Sequence, residues 1–185
     1  MLDKVLQEWG GRDDFWVFGY ASLIWRPEFD YLEKRMARVH GYHRALHMWS
    51  RVNRGTFGNP GLVFAMLCGG SCEGVVFKVS ASDGHAVLCN LWQREMPTGV
   101  YDTPWLACKT AQGTVKALAF TLAKSSPNFT GVLPDAQYRS IFSQATGRYG
   151  TTLDYAQQTY DGLLAVGIRD RALEKLLRLA APRAT

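Results

Sequence analysis

Glu95 is the residue whose position points most directly to chemistry. Apolar residues from Val87 to Met96 recur at helical spacing, and Glu95 follows Leu91 by four residues and Trp92 by three. Residues so spaced share one face of a helix, which directs this carboxylate toward the core. Burial raises the pKa of a carboxyl group toward neutrality, and this suits a general base that takes up a proton and returns it. The position also fits a structural glutamate that pairs with a neighbouring arginine or reaches solvent past Met96.

A second candidate is the bend that follows the apolar run Phe15 to Phe18, which predicts a buried strand. Small residues directly after a strand allow successive backbone N–H groups to point to one place, and such a nest binds a carboxylate or a phosphate. No glycine-rich nucleotide motif is present, and a segment of this kind is also an ordinary turn. The candidate binding residues are Gly19, Tyr20, Ala21, Ser22, Leu23 and Ile24.

Other catalytic and metal-binding patterns are poorly represented. On a strand, His43 and His47 share one face while His40 lies on the other, so these histidines do not predict a metal site. Ser22 lies in no Gly-x-Ser-x-Gly elbow. The spacing of the four cysteines fits neither a redox pair nor a zinc site. We therefore expect no metal and no cofactor.

The free thiols and the absence of a long apolar segment indicate a location. Four unpaired cysteines are ordinary in a reducing compartment. Charged residues interrupt the N-terminal segment, and no stretch of about 18 apolar residues occurs. We expect a cytoplasmic protein without a membrane partner.

The periodicity of the chain predicts strands first and helices afterwards. A helix is predicted from His85 to Met96, with Ser82 or Asp83 as its N-cap and Pro97 as its stop. Further helices follow Pro134. We therefore expect an α/β domain of mixed, α+β-like character, whose mainly antiparallel sheet is curved or closed into a small β-barrel flanked by helices. The predicted strands are 15–18, 37–50, 62–67, 74–79, 105–109 and 115–122.

The segments 62–67 and 74–79 are separated by Gly69-Gly70-Ser71. Two apolar segments around a short glycine turn predict a β-hairpin. Cys68 and Cys72 flank this turn, so we expect them to be neighbours across the hairpin.

Composition excludes a disordered chain. The 185 residues are 47% hydrophobic and 12% aromatic, which is enough apolar surface for one core. We predict a single domain over 1–185, with an N-terminal arm at 1–13 and C-terminal helices at 134–185.

The charge pattern suggests an anionic partner. The chain has 21 basic and 16 acidic residues, a net charge of +5. No acidic residue occurs between Lys34 and Glu73, while Arg44, Arg51 and Arg54 lie inside this stretch. The stretch fits a small anionic peptide or an ordinary solvated surface. No nucleic-acid-binding module is recognisable, so we expect no nucleic acid partner.

An ordered set of motifs carries a resemblance to a known family. The residues from Val17 to Trp25 closely resemble the VFGYGSLIW signature of the ChaC-like γ-glutamylcyclotransferases. The likeness continues through Gly41-Tyr42-His43-Arg44, Arg54-Gly55-Thr56, Pro60-Gly61-Leu62, Gly69-Gly70-Ser71-Cys72-x-Gly74 and Leu91-Trp92-Gln93-Arg94-Glu95-Met96.

This resemblance implies a fold, an activity and roles for both candidate sites. The implied fold is a compact α/β structure around a small β-barrel, and the implied activity is that of a carbon–nitrogen lyase. In the family, the loop matching Gly19 to Ile24 holds the γ-glutamyl group through its α-carboxylate, and the glutamate matching Glu95 is the acid and base. The substrate implied is glutathione, which is converted to 5-oxoproline and cysteinylglycine without a cofactor. Arg54 is our candidate for the glycine carboxylate.

Two departures leave the substrate less defined than the reaction. Ala21 replaces the usual glycine, and its methyl group would restrict the backbone if φ were positive. The segment 147–155 matches the eukaryotic pattern only loosely. The alternatives are another γ-glutamyl amine or amino acid as substrate, or a non-catalytic binding or regulatory protein of the same fold. The oligomeric state is not specified by the sequence.

Overall fold

The computed structural model describes residues 1–96 and 99–180. The chain divides into two compact units. The first contains Met1–His43 and Met66–Ala123, and the second contains Arg44–Ala65 and Lys124–Thr185.

The barrel strands lie within residues 15–118, and the part of the chain after residue 134 is mainly helical, in agreement with the predicted order. The helices are α1 (Leu2–Trp9), α2 (Ser22–Trp25), α3 (Gly84–Glu95), α4 (Asp135–Gln144), α5 (Thr152–Ala165) and α6 (Arg171–Leu177), followed by a 3₁₀ turn at Arg178–Ala180. The strands are β1 (Phe15–Gly19), β2 (Glu33–Ser50), β3 (Gly61–Val79), β4 (Trp105–Thr110), β5 (Gly113–Leu118), β6 (Thr146–Gly147) and β7 (Gly150–Thr151).

Five strands close into a barrel in the order β1-β3-β2-β4-β5, and β6 pairs separately with β7. β1 is antiparallel to β3, with Val17 opposite Phe77, and parallel to β5, with Val17 opposite Leu118. Val17 and Phe18 are fully buried. Successive residues of a strand point to opposite faces, so β1 packs against other side chains both inside the barrel and on its outer surface. The predicted mixed fold with a mainly antiparallel barrel is confirmed.

The predicted hairpin within residues 62–79 is wrong. β3 is one continuous strand, and Gly69 and Gly70 lie inside it with φ of 101° and 77°. Glycine adopts positive φ without a steric penalty, so the strand absorbs two unusual residues without reversing. Cys68 and Cys72 therefore lie on the same strand rather than across a hairpin. Cys68 is exposed, Cys72 is buried, and both are free thiols.

α3 is fixed at its beginning by contact with α1. A Cβ atom on Gly84 would overlap the indole of Trp9 and lie 3.0 Å from the Phe15 ring, so only glycine fits here. Val87, Leu88 and Leu91 are buried. This packing sets the direction in which α3 carries its last residue.

The boundaries of α3 agree with those expected from the sequence. Asp83 is the N-cap residue, although its side chain accepts no capping hydrogen bond, and the helix ends at Glu95. The predicted stop, Pro97, lies outside the described residues.

The second unit contains the three C-terminal helices α4, α5 and α6. Pro134 precedes α4, as predicted, and Tyr138, Ile141 and Phe142 of this helix are buried. α5 was not anticipated as a separate helix. It begins at Thr152, whose hydroxyl accepts from the Leu62 amide and donates to the Arg54 carbonyl. Among residues 1–96 and 99–180, no helix has the length and apolar character needed to cross a bilayer.

Candidate active site

The bend after β1 forms a tight connection from strand to helix. β1 ends at Gly19, and α2 begins at Ser22 after the buried Tyr20 and Ala21. The Ile24 amide donates to the Ala21 carbonyl at 2.9 Å, which closes the first turn. A Cβ on Gly19 would lie 3.0 Å from Leu23 Cβ and 3.1 Å from the Phe77 ring, so a larger residue here would require both neighbours to shift. The Ile24 amide is used in this turn, and the backbone N–H groups that precede it in the bend are the candidate donors to an anion.

The condition that would have made Ala21 restrictive is not met. Its φ is −142° and its ψ is −115°, so φ lies outside the left-handed region that favours glycine. The methyl group of Ala21 is buried beneath the bend.

Glu95 is the last residue of α3, and its side chain is 18% exposed. Leu91 and Met96 beside it are both buried, in agreement with the predicted inward face. Loss of hydration raises the pKa of the Glu95 carboxyl above its usual range. The nearby Arg94 cation opposes this shift, and the Glu28 carboxylate adds to it, but desolvation is the largest effect. The structure therefore provides a half-buried carboxyl group that holds its proton more tightly than a surface glutamate.

Arg94 links Glu95 to the bend, and the sequence interpretation missed it. Its Nε lies 3.0 Å from a Glu95 oxygen, which is the arginine pairing named as the structural alternative for Glu95. Its Nη2 donates to the Ser22 hydroxyl at 3.1 Å. The structure thus joins the two predicted sites through one guanidinium. The signals in the sequence were that this arginine directly precedes the candidate glutamate and that it lies in the motif Leu91 to Met96.

Arg54 belongs to the second unit, where its side chain is almost fully buried. Its guanidinium donates to the Tyr149 carbonyl and lies 4.9 Å from the centre of the Tyr155 ring. Its backbone amide donates to the Ser50 hydroxyl. The proposed role of Arg54 toward a substrate carboxylate stays a prediction.

Several arginines of the acid-free stretch are paired with acids from other parts of the sequence. Arg38 contacts Glu73 at 2.5 Å, and Arg44 contacts Asp170 at 2.7 Å. These pairs reduce the positive field that the sequence suggested. His43 Nδ1 lies 2.8 Å from the Gly69 carbonyl oxygen. Within the described ranges, no three His, Cys, Asp or Glu side chains are grouped so as to hold a metal ion.

The fold is that of the γ-glutamylcyclotransferases. A solved structure of a glutathione-specific γ-glutamyl cyclotransferase from yeast, with selenomethionine, matches with a TM-score of 0.80 and 19% identity. The match covers 91% of this chain and 96% of the yeast chain.

The sequence comparisons define the family. The model of the ChaC-like protein family matches residues 15–182, and the chain belongs to this family. A glutathione-specific γ-glutamylcyclotransferase of Escherichia coli (strain K12) is 31% identical over 163 residues, which cover 88% of this chain and 71% of the relative. Glutathione-specific γ-glutamylcyclotransferase 1 of Mus musculus is 29% identical over 178 residues, covering 91% and 80% respectively.

Proposed function

We propose that this protein is a glutathione-specific γ-glutamylcyclotransferase that converts glutathione to 5-oxoproline and cysteinylglycine. The observation that carries the proposal is the half-buried Glu95 carboxyl with its raised pKa, tied through Arg94 to the bend after β1. The E. coli and mouse relatives that align over most of the chain bear the name of this activity.

The reaction is an internal transfer of an acyl group. The α-amine nitrogen of the γ-glutamyl group attacks its own γ-carbonyl carbon and forms the C–N bond of the ring. The amide C–N bond to cysteine then breaks, and cysteinylglycine leaves as an amine. One proton moves from the attacking nitrogen to the leaving nitrogen, so no water or cofactor is consumed.

Glu95 is proposed to carry this proton. At neutral pH the α-amine is mostly protonated, so attack needs a base, and the leaving amine then needs an acid. A carboxylate with an ordinary pKa is a weak base and accepts a proton poorly at neutral pH. The raised pKa of Glu95 favours both steps, since transfer is most efficient when the pKa of the catalyst is near the working pH.

The bend from Gly19 to Ile24 is proposed to hold the α-carboxylate through backbone N–H groups. An extended glutamyl chain keeps its amine away from the γ-carbonyl, so ring closure requires a folded substrate. Binding the α-carboxylate beside the start of α2 fixes the end of the glutamyl chain that carries the amine. The oxyanion formed on the γ-carbonyl needs its own donors. The Tyr20 hydroxyl and backbone amides near Ser22 are the candidates, and Arg54 is proposed to bind the glycine carboxylate.

The direct test is incubation of the purified protein with glutathione, followed by measurement of 5-oxoproline and cysteinylglycine. We expect both products in equal amounts. Glu95→Gln should reduce kcat by about 10²- to 10⁴-fold, because proton transfer by a positioned side chain contributes a factor of this size. Gln93→Ala is the matched control, since Gln93 is exposed on the same helix. Undiminished turnover by Glu95→Gln would remove Glu95 from the mechanism.

A substrate panel separates the alternatives. Turnover of γ-glutamyl-alanine in preference to glutathione would indicate a cyclotransferase for other γ-glutamyl compounds. Tight binding of γ-glutamyl peptides without products would indicate a binding or regulatory protein. We also propose that the enzyme works in the cytoplasm, which is supported by its free cysteines.

A further inference from the structure

Arg94 uses all three guanidinium nitrogens inside the first unit, and its side chain is only 19% exposed. Nε faces the Glu95 carboxylate and Nη2 donates to the Ser22 hydroxyl. Nη1 contacts the carbonyl oxygens of Arg26 and Pro27 and, at 2.9 Å, the Glu28 carboxylate. A planar fork of donors fixed at several points leaves little rotational freedom for this side chain.

We propose that Arg94 is a positioning residue that fixes the Glu95 carboxylate relative to the start of α2, and that Glu28 holds Arg94 in this orientation. The inference rests on the proposed function in one respect, namely that Glu95 is the acid and base. Arg94 itself is assigned no contact with substrate. It acts through Glu95 on one side and through Ser22 on the other.

The backbone conformation of Glu28 supports a specific contact between Glu28 and Arg94. Glu28 has a φ of 58°, a left-handed conformation that residues other than glycine, asparagine and aspartate seldom adopt. Such a conformation persists only where the surroundings hold it. Here the carboxylate of Glu28 contacts Arg26 as well as Arg94. The unusual backbone turns Glu28 back toward α3, where it meets the guanidinium.

The two charges act on Glu95 in opposite directions. The charged groups acting on the carboxyl are Arg94 from α3 and Glu28 from the segment after α2. The Arg94 cation lowers the pKa of Glu95, and the Glu28 anion raises it. Because a base must be ionised to accept a proton, the acidic limb of the pH profile of kcat reports this pKa. Removing each partner should therefore move the limb in opposite directions.

The geometry of the arginine side chain allows a test that distinguishes positioning of the Glu95 carboxylate from an effect of charge alone. Lysine has the same charge but a single nitrogen, so it cannot contact Glu95, Ser22 and Glu28 together. We expect Arg94→Lys to keep the acidic limb close to that of the unchanged protein while kcat falls by about tenfold or more, with little change in KM. A loss of this kind reflects a misplaced catalytic carboxyl group rather than weaker substrate binding.

The experiment compares the unchanged protein with Arg94→Gln, Arg94→Lys and Glu28→Gln, and with Arg139→Gln on α4 as a control in the second unit. Arg94→Gln should lower kcat and move the acidic limb to higher pH, whereas Glu28→Gln should move it to lower pH. Arg139→Gln should change neither. Unchanged kcat and an unchanged limb in Arg94→Gln would overturn the proposal, as would wild-type kcat in Arg94→Lys.

Titration of the Glu95 carboxyl by ¹³C NMR provides a readout that needs no turnover. The expected result is a higher pKa in Arg94→Gln and a lower pKa in Glu28→Gln. If the unchanged protein turns over no γ-glutamyl compound but these shifts occur, the proposed function fails while the arrangement of Arg94 and Glu28 stands. If turnover occurs but neither variant shifts the titration of Glu95, the proposed function stands and the inference fails.

Discussion

At the scale of single residues, Glu95 combines the two roles that its position in the sequence allowed. It lies on the inward face of α3, where desolvation raises its pKa, and it also pairs with the neighbouring Arg94. The ion pair does not cancel the effect of burial, so the carboxylate form remains costly in the folded protein. A group held at such a cost is typical of an active site.

The raised pKa of Glu95 predicts how the free energy of unfolding changes with pH. Below the ordinary pKa of 4.5, Glu95 is protonated in the folded and the unfolded chain and contributes nothing to the pH dependence. As pH rises, the unfolded chain ionises first, so stability is lost until pH exceeds the raised pKa of the folded state. Glu95→Gln should therefore be more stable than the unchanged protein at neutral pH, and the difference should vanish at low pH.

Thermal unfolding of Glu95→Gln and of the unchanged protein, measured from low pH to neutral pH, tests this prediction. Gln93→Ala again serves as the control, and its difference from the unchanged protein should not vary with pH. A neutral-pH melting temperature lower in Glu95→Gln than in the unchanged protein would mean that Arg94 outweighs burial.

At the scale of elements, the approach of β3 to the end of β1 shapes the bend. Val75 lies opposite Gly19 in the antiparallel pair. A Cβ on the adjacent Gly74 would overlap the Gly19 carbonyl oxygen and lie 2.8 Å from the Phe18 ring. The first neighbour is a backbone atom and the Phe18 ring is fully buried, so the strand ends would have to separate.

Gly74→Ala should consequently destabilise the protein by about 1–3 kcal/mol, the usual cost of overpacking a core. It should also lower kcat, because the displaced carbonyl lies at the start of the bend. Gly58→Ala is the control, since a Cβ there meets nothing within 4 Å. Denaturant unfolding and the glutathione assay measure both effects, and equal stability of the two variants would contradict the expected overlap.

α6 is tied to β2 within the second unit by a buried ion pair. Arg44 donates from Nε and Nη2 to Asp170 Oδ2, while Oδ1 of the same carboxylate accepts the Leu173 amide as the helix cap. Both side chains are largely buried. Asp170 therefore satisfies a guanidinium and a helix N-terminus together.

Asp170→Ala should lower the free energy of unfolding by about 3 kcal/mol, because it removes one partner of a buried pair. Asp170→Asn keeps an oxygen for the cap and should cost less. Denaturant titration compares the two variants. Equal losses would show that the oxygen kept by asparagine contributes nothing and that the whole loss comes from the missing charge.

At the scale of the whole molecule, the sequence predicted one domain, and the structure contains two compact units. β2 and β3 each contribute residues to both units. If one unit unfolded while the other stayed folded, the hydrogen bonds of β2 and β3 would have to break in the middle of each strand. Separate unfolding of the units is therefore costly.

The single-domain interpretation predicts one cooperative unfolding transition. Gly74→Ala lies in the first unit and Asp170→Ala in the second, and both should shift the same midpoint. Far-ultraviolet circular dichroism and tryptophan fluorescence should give coincident curves for each variant. Two transitions, each shifted by only one of the substitutions, would instead identify two domains.

Features that depend on local periodicity could be predicted from the order of the residues. Helical spacing in α3 was enough to turn Glu95 inward, and the apolar run before Gly19 was enough to bury β1. The order of the motifs was enough to indicate the family. Each of these follows from which face of an element is apolar, a property that neighbouring residues define.

The contacts that these elements make with distant segments depend on the tertiary fold. The glycines at 69 and 70 are equally compatible with a turn and with a continuous strand, and in the barrel β3 pairs with β1 and β2 rather than folding back on itself. Arg94 is separated by 66 residues from Glu28 and by 72 from Ser22, so no local pattern could connect them. Arg44 and Asp170 are 126 residues apart. Charged side chains are long and their partners come from distant segments, so the barrel and its packed helices had to form before these contacts were defined.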